Sequence, residues 1–125
     1  MDLMRLLQTF KYRKHANEKS YDWKWNERGF NRIAVVNCLI SNTHGLNSSY
    51  LEIGCASDEL FNSVACYDKI GVDPNTGGTH RMTSDQFFMS NEKHFDVIFI
   101  DGLHEYPQVR KDAFNALTFL EDSGW

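Results

Sequence analysis

No stretch of this sequence approaches the roughly 18 consecutive apolar residues of a membrane-spanning helix, so no membrane partner is expected. Cysteine is scarce. Cys38, Cys55 and Cys66 are widely spaced and odd in number, which gives neither a disulfide framework nor a CxxC metal pattern. A reducing, cytoplasmic setting is therefore expected. Met1 to Arg5 lacks the basic start and apolar core of a secretory signal. Positive charge is not in excess either. Thirteen basic against 17 acidic residues leave a net charge of -4, which argues against a nucleic-acid surface. The short basic cluster Lys11 to His15 reads as a solvated helix end. Internal repeats and low-complexity segments are absent.

What is present suffices for one domain with one core: 125 residues, 42% of them hydrophobic. Residues 1–49 read as an N-terminal helical segment and 50–125 as an α/β core. Leu3, Leu6, Leu7 and Phe10 recur at helical spacing, with Asp2 as a candidate N-cap. Tyr21, Trp23 and Trp25 form an aromatic cluster, either a pad on the core edge or a lid over a ligand. Phe30, Ile33, Ala34, Asn37 and Ile40 make a second helical stripe, with Asn26 or Asn31 to start it and Gly45 to end it.

From Tyr50 onward, strands alternate with helices. Tyr50 to Ile53 is apolar enough for a strand buried on both faces. Ser57 or Asp58 is placed to cap a helix running to about Cys66, with Leu60, Phe61, Val64 and Ala65 inward. Ile70 to Pro74 is a second strand, and Thr79 to Met82 a weaker third. Thr83-Ser84-Asp85 opens a helix containing Phe87, Phe88 and Met89. Phe95 to Asp101 is the clearest strand, β-branched and aromatic. Pro107 suits the first turn of a final helix whose apolar stripe would be Val109, Ala113, Ala116, Leu117 and Leu120. The fold class is α/β, a Rossmann-like doubly wound and mainly parallel sheet.

In such a sheet the strand ends line one crevice, and three acids fall at or near them: Glu52, Asp73 and Asp101. Asp73 lies 19 residues after Gly54, the spacing of an acid that grips a ribose. Taken alone, Asp73-Pro74 would read as a turn; together with the glycine turn, the ribose reading is better. A nicotinamide dinucleotide is disfavoured. The pattern G-x-G-x-x-G needs two more glycines, and Ala56 and Glu59 stand there instead. Asp101, His104 and Glu105 are the compact cluster able to take a proton, although Asp101-Gly102 also reads as a turn and His104 and Glu105 as the approach to a helix.

Glu52-Ile53-Gly54, Gly71-Val72-Asp73-Pro74, Met82 to Phe88 and Phe95 to His104 together resemble the class I S-adenosylmethionine-dependent methyltransferases. The likeness is to the small-molecule branch with Asp-Gly-x-His after the fourth strand. It implies methyl transfer to oxygen or nitrogen of a small molecule. It implies that Gly54, Cys55 and Ala56 approach the methionine part of the cofactor and that Glu52 helps hold that end. Asp73, with Pro74, would meet the ribose, and Ser84 and Asp85 the adenine. Asp101 and His104 would face the methyl group and the acceptor. Some relatives use a divalent metal at the Asp101 position, but one aspartate and one histidine do not make a coordination sphere.

Two departures from that family stand out. Asp58 replaces a usual glycine, a substitution that a left-handed backbone tolerates better than most. Its charge is expected near the cofactor's carboxylate. The resemblance also stops before the family's fifth strand, so the expected sheet is an incomplete one of order 3-2-1-4 with Phe95 to Ile100 as an open edge. Such an edge predicts self-association, a homo-oligomer. Beside the enzyme stand a non-catalytic or truncated methyltransferase-like binding module and a nucleotide-binding domain of another kind.

Overall fold

A computed structural model describes residues 31–125. The expected first helix, the basic cluster and the Tyr21, Trp23 and Trp25 group lie outside the described residues. Arg32–Trp125 form one compact unit. Its elements in chain order are α1 (Arg32–Ser41), a 3-10 turn (Gly45–Asn47), β1 (Ser49–Ile53), α2 (Glu59–Ser63), β2 (Asp68–Val72), α3 (Ser84–Ser90), β3 (Val97–Ile100) and α4 (Tyr106–Thr118). The three strands are parallel in the order β2-β1-β3. Ile53 pairs with Val72 on one side and Ile100 on the other, so all three strands finish together.

The two-residue period of β1 sorts the core into two layers. Tyr50 packs with Val36 and Ile40 of α1 and with Leu60 and Val64, at and just past α2. Leu51 and Ile53 pack on the opposite face with Phe87 and Phe88 of α3 and Ala116 of α4. Each fully buried Leu, Val, Ile or Phe contributes about 1.5–3 kcal/mol relative to exposure, so both faces of β1 are strongly specified. Helices on both faces of a parallel sheet make this a partial Rossmann-like fold.

Four expectations are corrected. Residues 79–82 form no strand. They make a single parallel bridge, His80 to Val72, and the four-strand order 3-2-1-4 is not seen among the described residues. The chain reaches that bridge through Gly77 and Gly78, both at positive φ, and Thr79 and His80 both donate their N–H to the Gly71 carbonyl. That doubled bond replaces the regular ladder.

The helix α2 ends at Ser63 rather than near Cys66. Its last carbonyls find side-chain partners instead of a further turn. Asn37 Nδ2 donates to the Ser63 carbonyl and Lys69 Nζ to those of Phe61 and Val64. Ala65 is consequently exposed, and Asp58 makes no side-chain cap.

The inward stripe of α4 is Gln108, Asp112 and Ala116, while Val109 and Ala113 face solvent. The helix is rotated by about 100°, one residue, from the apolar reading. Polar bonds to α3 set that rotation: Gln108 reaches Ser84 and Asp85, and Lys111 reaches Asp85. The helix α3 contains Phe87, Phe88 and Met89 as expected; the two phenylalanines are buried and Met89 is exposed.

The outer edge of β3 is not fully open. Phe95 is buried and bridges to Leu120. Trp125 donates its N–H to the Asp96 carbonyl and accepts from the Ile98 N–H.

Candidate active site

A cavity of about 520 Å³ opens at the carboxyl ends of the three strands. Gly54, Asp73 and Asp101, which follow β1, β2 and β3, share its wall with Ala56, Pro74, Ser84, Asp85, Gln108 and Asp112. Glycine at position 54 is a steric requirement. Its φ is +87°, and a Cβ there would lie 2.3 Å from the Asp101 carbonyl oxygen. The turn continues through Ala56 and Asp58, both left-handed. Asp58 thus holds the backbone expected of it, but Oδ1 accepts from the Gly78 N–H at 2.7 Å. It is not among the residues lining the cavity.

Asp73 ties this turn to β2. Its Oδ2 accepts the N–H groups of Cys55 and Ala56, each at 3.1 Å. Its Oδ1 accepts those of Asn75 at 2.8 Å and Thr76 at 2.9 Å. Burial alone would raise this carboxyl, but the four backbone donors outweigh it and hold the pKa below the usual aspartate value. Cys55 is buried behind the turn, where burial and then the nearby Glu52, Asp58 and Asp73 push its thiol up to about 12. A thiol in that state is no nucleophile at neutral pH.

Glu52 does not line the cavity. It faces the α1–α2 layer at 2% exposure and accepts a 2.6 Å hydrogen bond from the Tyr50 hydroxyl. Burial raises the Glu52 carboxyl, against the pull of the Tyr50 hydroxyl and of Arg32. The same burial and the same bond raise the Tyr50 hydroxyl.

Arg32, at the start of α1, spans two carboxylates: Nη1 lies 3.3 Å from Asp101 Oδ2 and Nη2 3.2 Å from Glu59 Oε2. His104 Nε2 lies 2.9 Å from Asp101 Oδ1. Asp101 is therefore held from both sides, and His104, 78% exposed at its side chain, stands at the solvent side of the pair.

At the other end of the cavity, Thr83 caps α3 through a capping box with Gln86, which fixes Ser84 and Asp85 in the first turn. Lys111 Nζ and then Gln108 lower the Asp85 carboxyl. Lys111 donates to Oδ2 at 2.6 Å.

Of the site residues expected from the sequence, Gly54, Ala56, Asp73, Pro74, Ser84, Asp85 and Asp101 line one cavity, whereas Glu52, Cys55 and His104 do not. Sequence reasoning missed Arg32, Gln108 and Asp112. The spacing of Gln108 and Asp112 at i and i+4, one residue off the apolar stripe, was the available signal. Among the described residues no three His, Cys, Asp or Glu side chains converge to hold a metal ion, and no helix is long and apolar enough to cross a membrane.

The fold and the cavity define an α/β pocket protein of the kind that binds at the carboxyl ends of its strands. Residues 71–125 match the family model described as a methyltransferase domain. That match supports a methyltransferase, and it covers Asp73, Ser84, Asp85, Asp101, His104, Gln108 and Asp112 while leaving the Gly54 turn outside. No curated protein and no solved structure matches the chain.

Proposed function

We propose that this chain is an S-adenosylmethionine-dependent methyltransferase acting on oxygen or nitrogen of a small molecule. The observation that carries the reading is the cavity in which the ends of β1, β2 and β3 meet the start of α3. Its volume falls within the roughly 300–1,000 Å³ of small-molecule sites.

In this reading Gly54 and Ala56 offer close backbone to the cofactor, Asp73 and Pro74 would meet the ribose with Asp73 sharing oxygens that already accept four backbone N–H groups, and Ser84 and Asp85 would meet the base. Bound S-adenosylmethionine supplies a methyl group on a sulfonium, and the chain supplies alignment and proton transfer. The Asp101 carboxylate faces the cavity, steadied by Arg32. His104 lies outside the cavity lining, at the solvent side of Asp101; a proton on its Nε2 shared with Asp101 would leave Nδ1 to accept the proton of an acceptor hydroxyl that reaches it there.

The test is calorimetric titration with S-adenosylmethionine and S-adenosylhomocysteine, repeated on Asp73→Ala with circular dichroism to verify folding. Saturable binding by the native chain that the folded variant loses supports the reading. A folded native chain that binds neither compound removes it. Binding without methyl transfer to any acceptor leaves the non-catalytic binding module.

A further inference from the structure

Among the described residues, those lining the cavity include Asp73, Asp85, Asp101 and Asp112 but no lysine, arginine or histidine. Three of these carboxylates are already engaged. Asp73 accepts four backbone N–H groups, Asp85 meets Lys111 Nζ at 2.6 Å and Asp101 meets Arg32 Nη1 at 3.3 Å. Asp112 differs. It is 1% exposed, and its Oδ1 accepts from Gln108 Nε2 at 3.0 Å. Among the described residues no cation pairs with it, and no donor reaches its Oδ2. Every sealed side-chain nitrogen or oxygen among them has a partner, so Oδ2 opens on the cavity that Asp112 lines. It does so on the Asp101 side, 3.9 Å from the Cβ position of Gly102. A buried carboxylate with one donor and no cation favours any positive donor that reaches it.

We propose that the methyl acceptor is an amine that enters as its ammonium, and that Asp112 is the catalytic residue that binds it and takes its proton. This rests on the methyltransferase reading above and narrows it from oxygen or nitrogen to nitrogen. An ammonium brings Oδ2 both a charge and N–H donors, whereas a hydroxyl brings one donor and no charge. Ile53, Val72 and Leu103 line the same cavity and suit an alkyl body. An ammonium has no lone pair with which to attack. Transfer of one N–H proton to Oδ2 frees that pair. The nitrogen then bonds to the methyl carbon as the carbon–sulfur bond breaks and its electrons return to sulfur. The product leaves as an N-methylammonium, and Asp112 gives its proton to water.

The test is calorimetric titration of the chain, saturated with S-adenosylhomocysteine, with matched primary amines and alcohols from butyl to octyl, on native protein and on Asp112→Asn. The best native amine is expected to bind about tenfold or more tighter than the alcohol of equal length. Asp112→Asn keeps an oxygen for Gln108 and turns an NH2 toward the cavity, so the folded variant is expected to lose that preference. Transfer of a methyl group from S-adenosylmethionine to the same amine, read by mass spectrometry, is expected to fall by about 100-fold or more in the variant. If Asp112→Asn does not fold, the native preference decides alone. Alcohols that bind as well as amines, neither series binding, or a folded Asp112→Asn that keeps the preference overturns the proposal while leaving the cofactor site intact. Absence of S-adenosylhomocysteine binding by folded native chain overturns the cofactor reading, and this proposal with it.

Discussion

Replacing Asp73 by asparagine tests how the floor of the cavity is built. The native carboxylate accepts four backbone N–H groups, two on each oxygen. An asparagine offers one oxygen. Its NH2 must then face two N–H donors, so two bonds are lost on whichever side it turns. A hydrogen bond to a charged group contributes roughly 1.5–3 kcal/mol, which places the loss at about 3–6 kcal/mol before relaxation, and about 3 is expected after it. With a urea m-value of about 1.5 kcal/mol per molar, the unfolding midpoint falls by about 2 M. The pH dependence has a definite sign. The folded pKa of Asp73 is depressed, so its stabilisation is fully present above the unfolded value of about 3.9 and is lost as pH falls through the lower folded value. The gap between native chain and Asp73→Asn must therefore be widest near neutrality and close on acidification. Urea titrations at several pH values read both quantities. A gap under about 0.5 kcal/mol at neutral pH, or one that does not narrow in acid, would refute the four-bond account.

Further outcomes follow from the same structure. Glu52→Gln keeps an oxygen for the Tyr50 hydroxyl and removes a buried charge. Because the folded pKa of Glu52 is raised, its contribution is lost as pH rises through that value, so the variant should melt no lower than native chain at pH 8 and lose less stability between pH 5 and pH 8. A steeper decline in thermal melts counts against the buried-carboxyl picture. Gly54→Ala, which drives a Cβ to 2.3 Å from the Asp101 carbonyl, should cost about 3 kcal/mol or more, against about 1–2 for Gly45→Ala, where no atom lies within 4 Å. Equal midpoints for the two variants contradict the close approach of the β1 and β3 ends. Self-association across the uncovered part of β3 is expected, since Ile98 and Ile100 are half-buried and Leu103, Tyr106 and Val109 just beyond are exposed. Sedimentation velocity at rising concentration checks it, with Ile98→Lys as the monomeric control. A monomer throughout rejects it.

The strands and their glycine turn were legible because the signals are local. Tyr50 to Ile53 and Phe95 to Ile100 are runs of β formers that stop at an acid or a glycine. Thr83 and Gln86 are likewise a local signal, and the capping box they form is present. Rotation of α4 was not legible, because Val109 and Ala113 fit a helical apolar stripe as well as any core residue does. What turns the helix is a set of bonds from Gln108 and Lys111 to residues more than 20 positions away. Periodicity in one segment carries no record of such partners. Asp73 shows the same limit. Its distance from Gly54 marked it as a site residue, but nothing local showed that both its oxygens would already be engaged by backbone N–H groups. Glu52 was placed at the cofactor because it precedes Gly54, whereas the strand pleat turns it away, toward Tyr50 and α1.

The central place of β1 has a consequence for the order of folding. Its partner β2 follows after one short helix, whereas β3 follows only after the Gly77-Gly78 loop and all of α3. Closing the shorter loop costs less chain entropy, so the β1–β2 pair is expected to form first and β3 to dock late. Asp101 arrives with β3. The half of the cavity that holds Asp73 would then be assembled before the half that holds Asp101 and His104, and pulsed hydrogen exchange during refolding should protect the Gly54 amide, bonded to the Val72 carbonyl, before the Asp101 amide, bonded to that of Ile53. Simultaneous protection of the two amides would instead mark the three strand ends as a single cooperative unit.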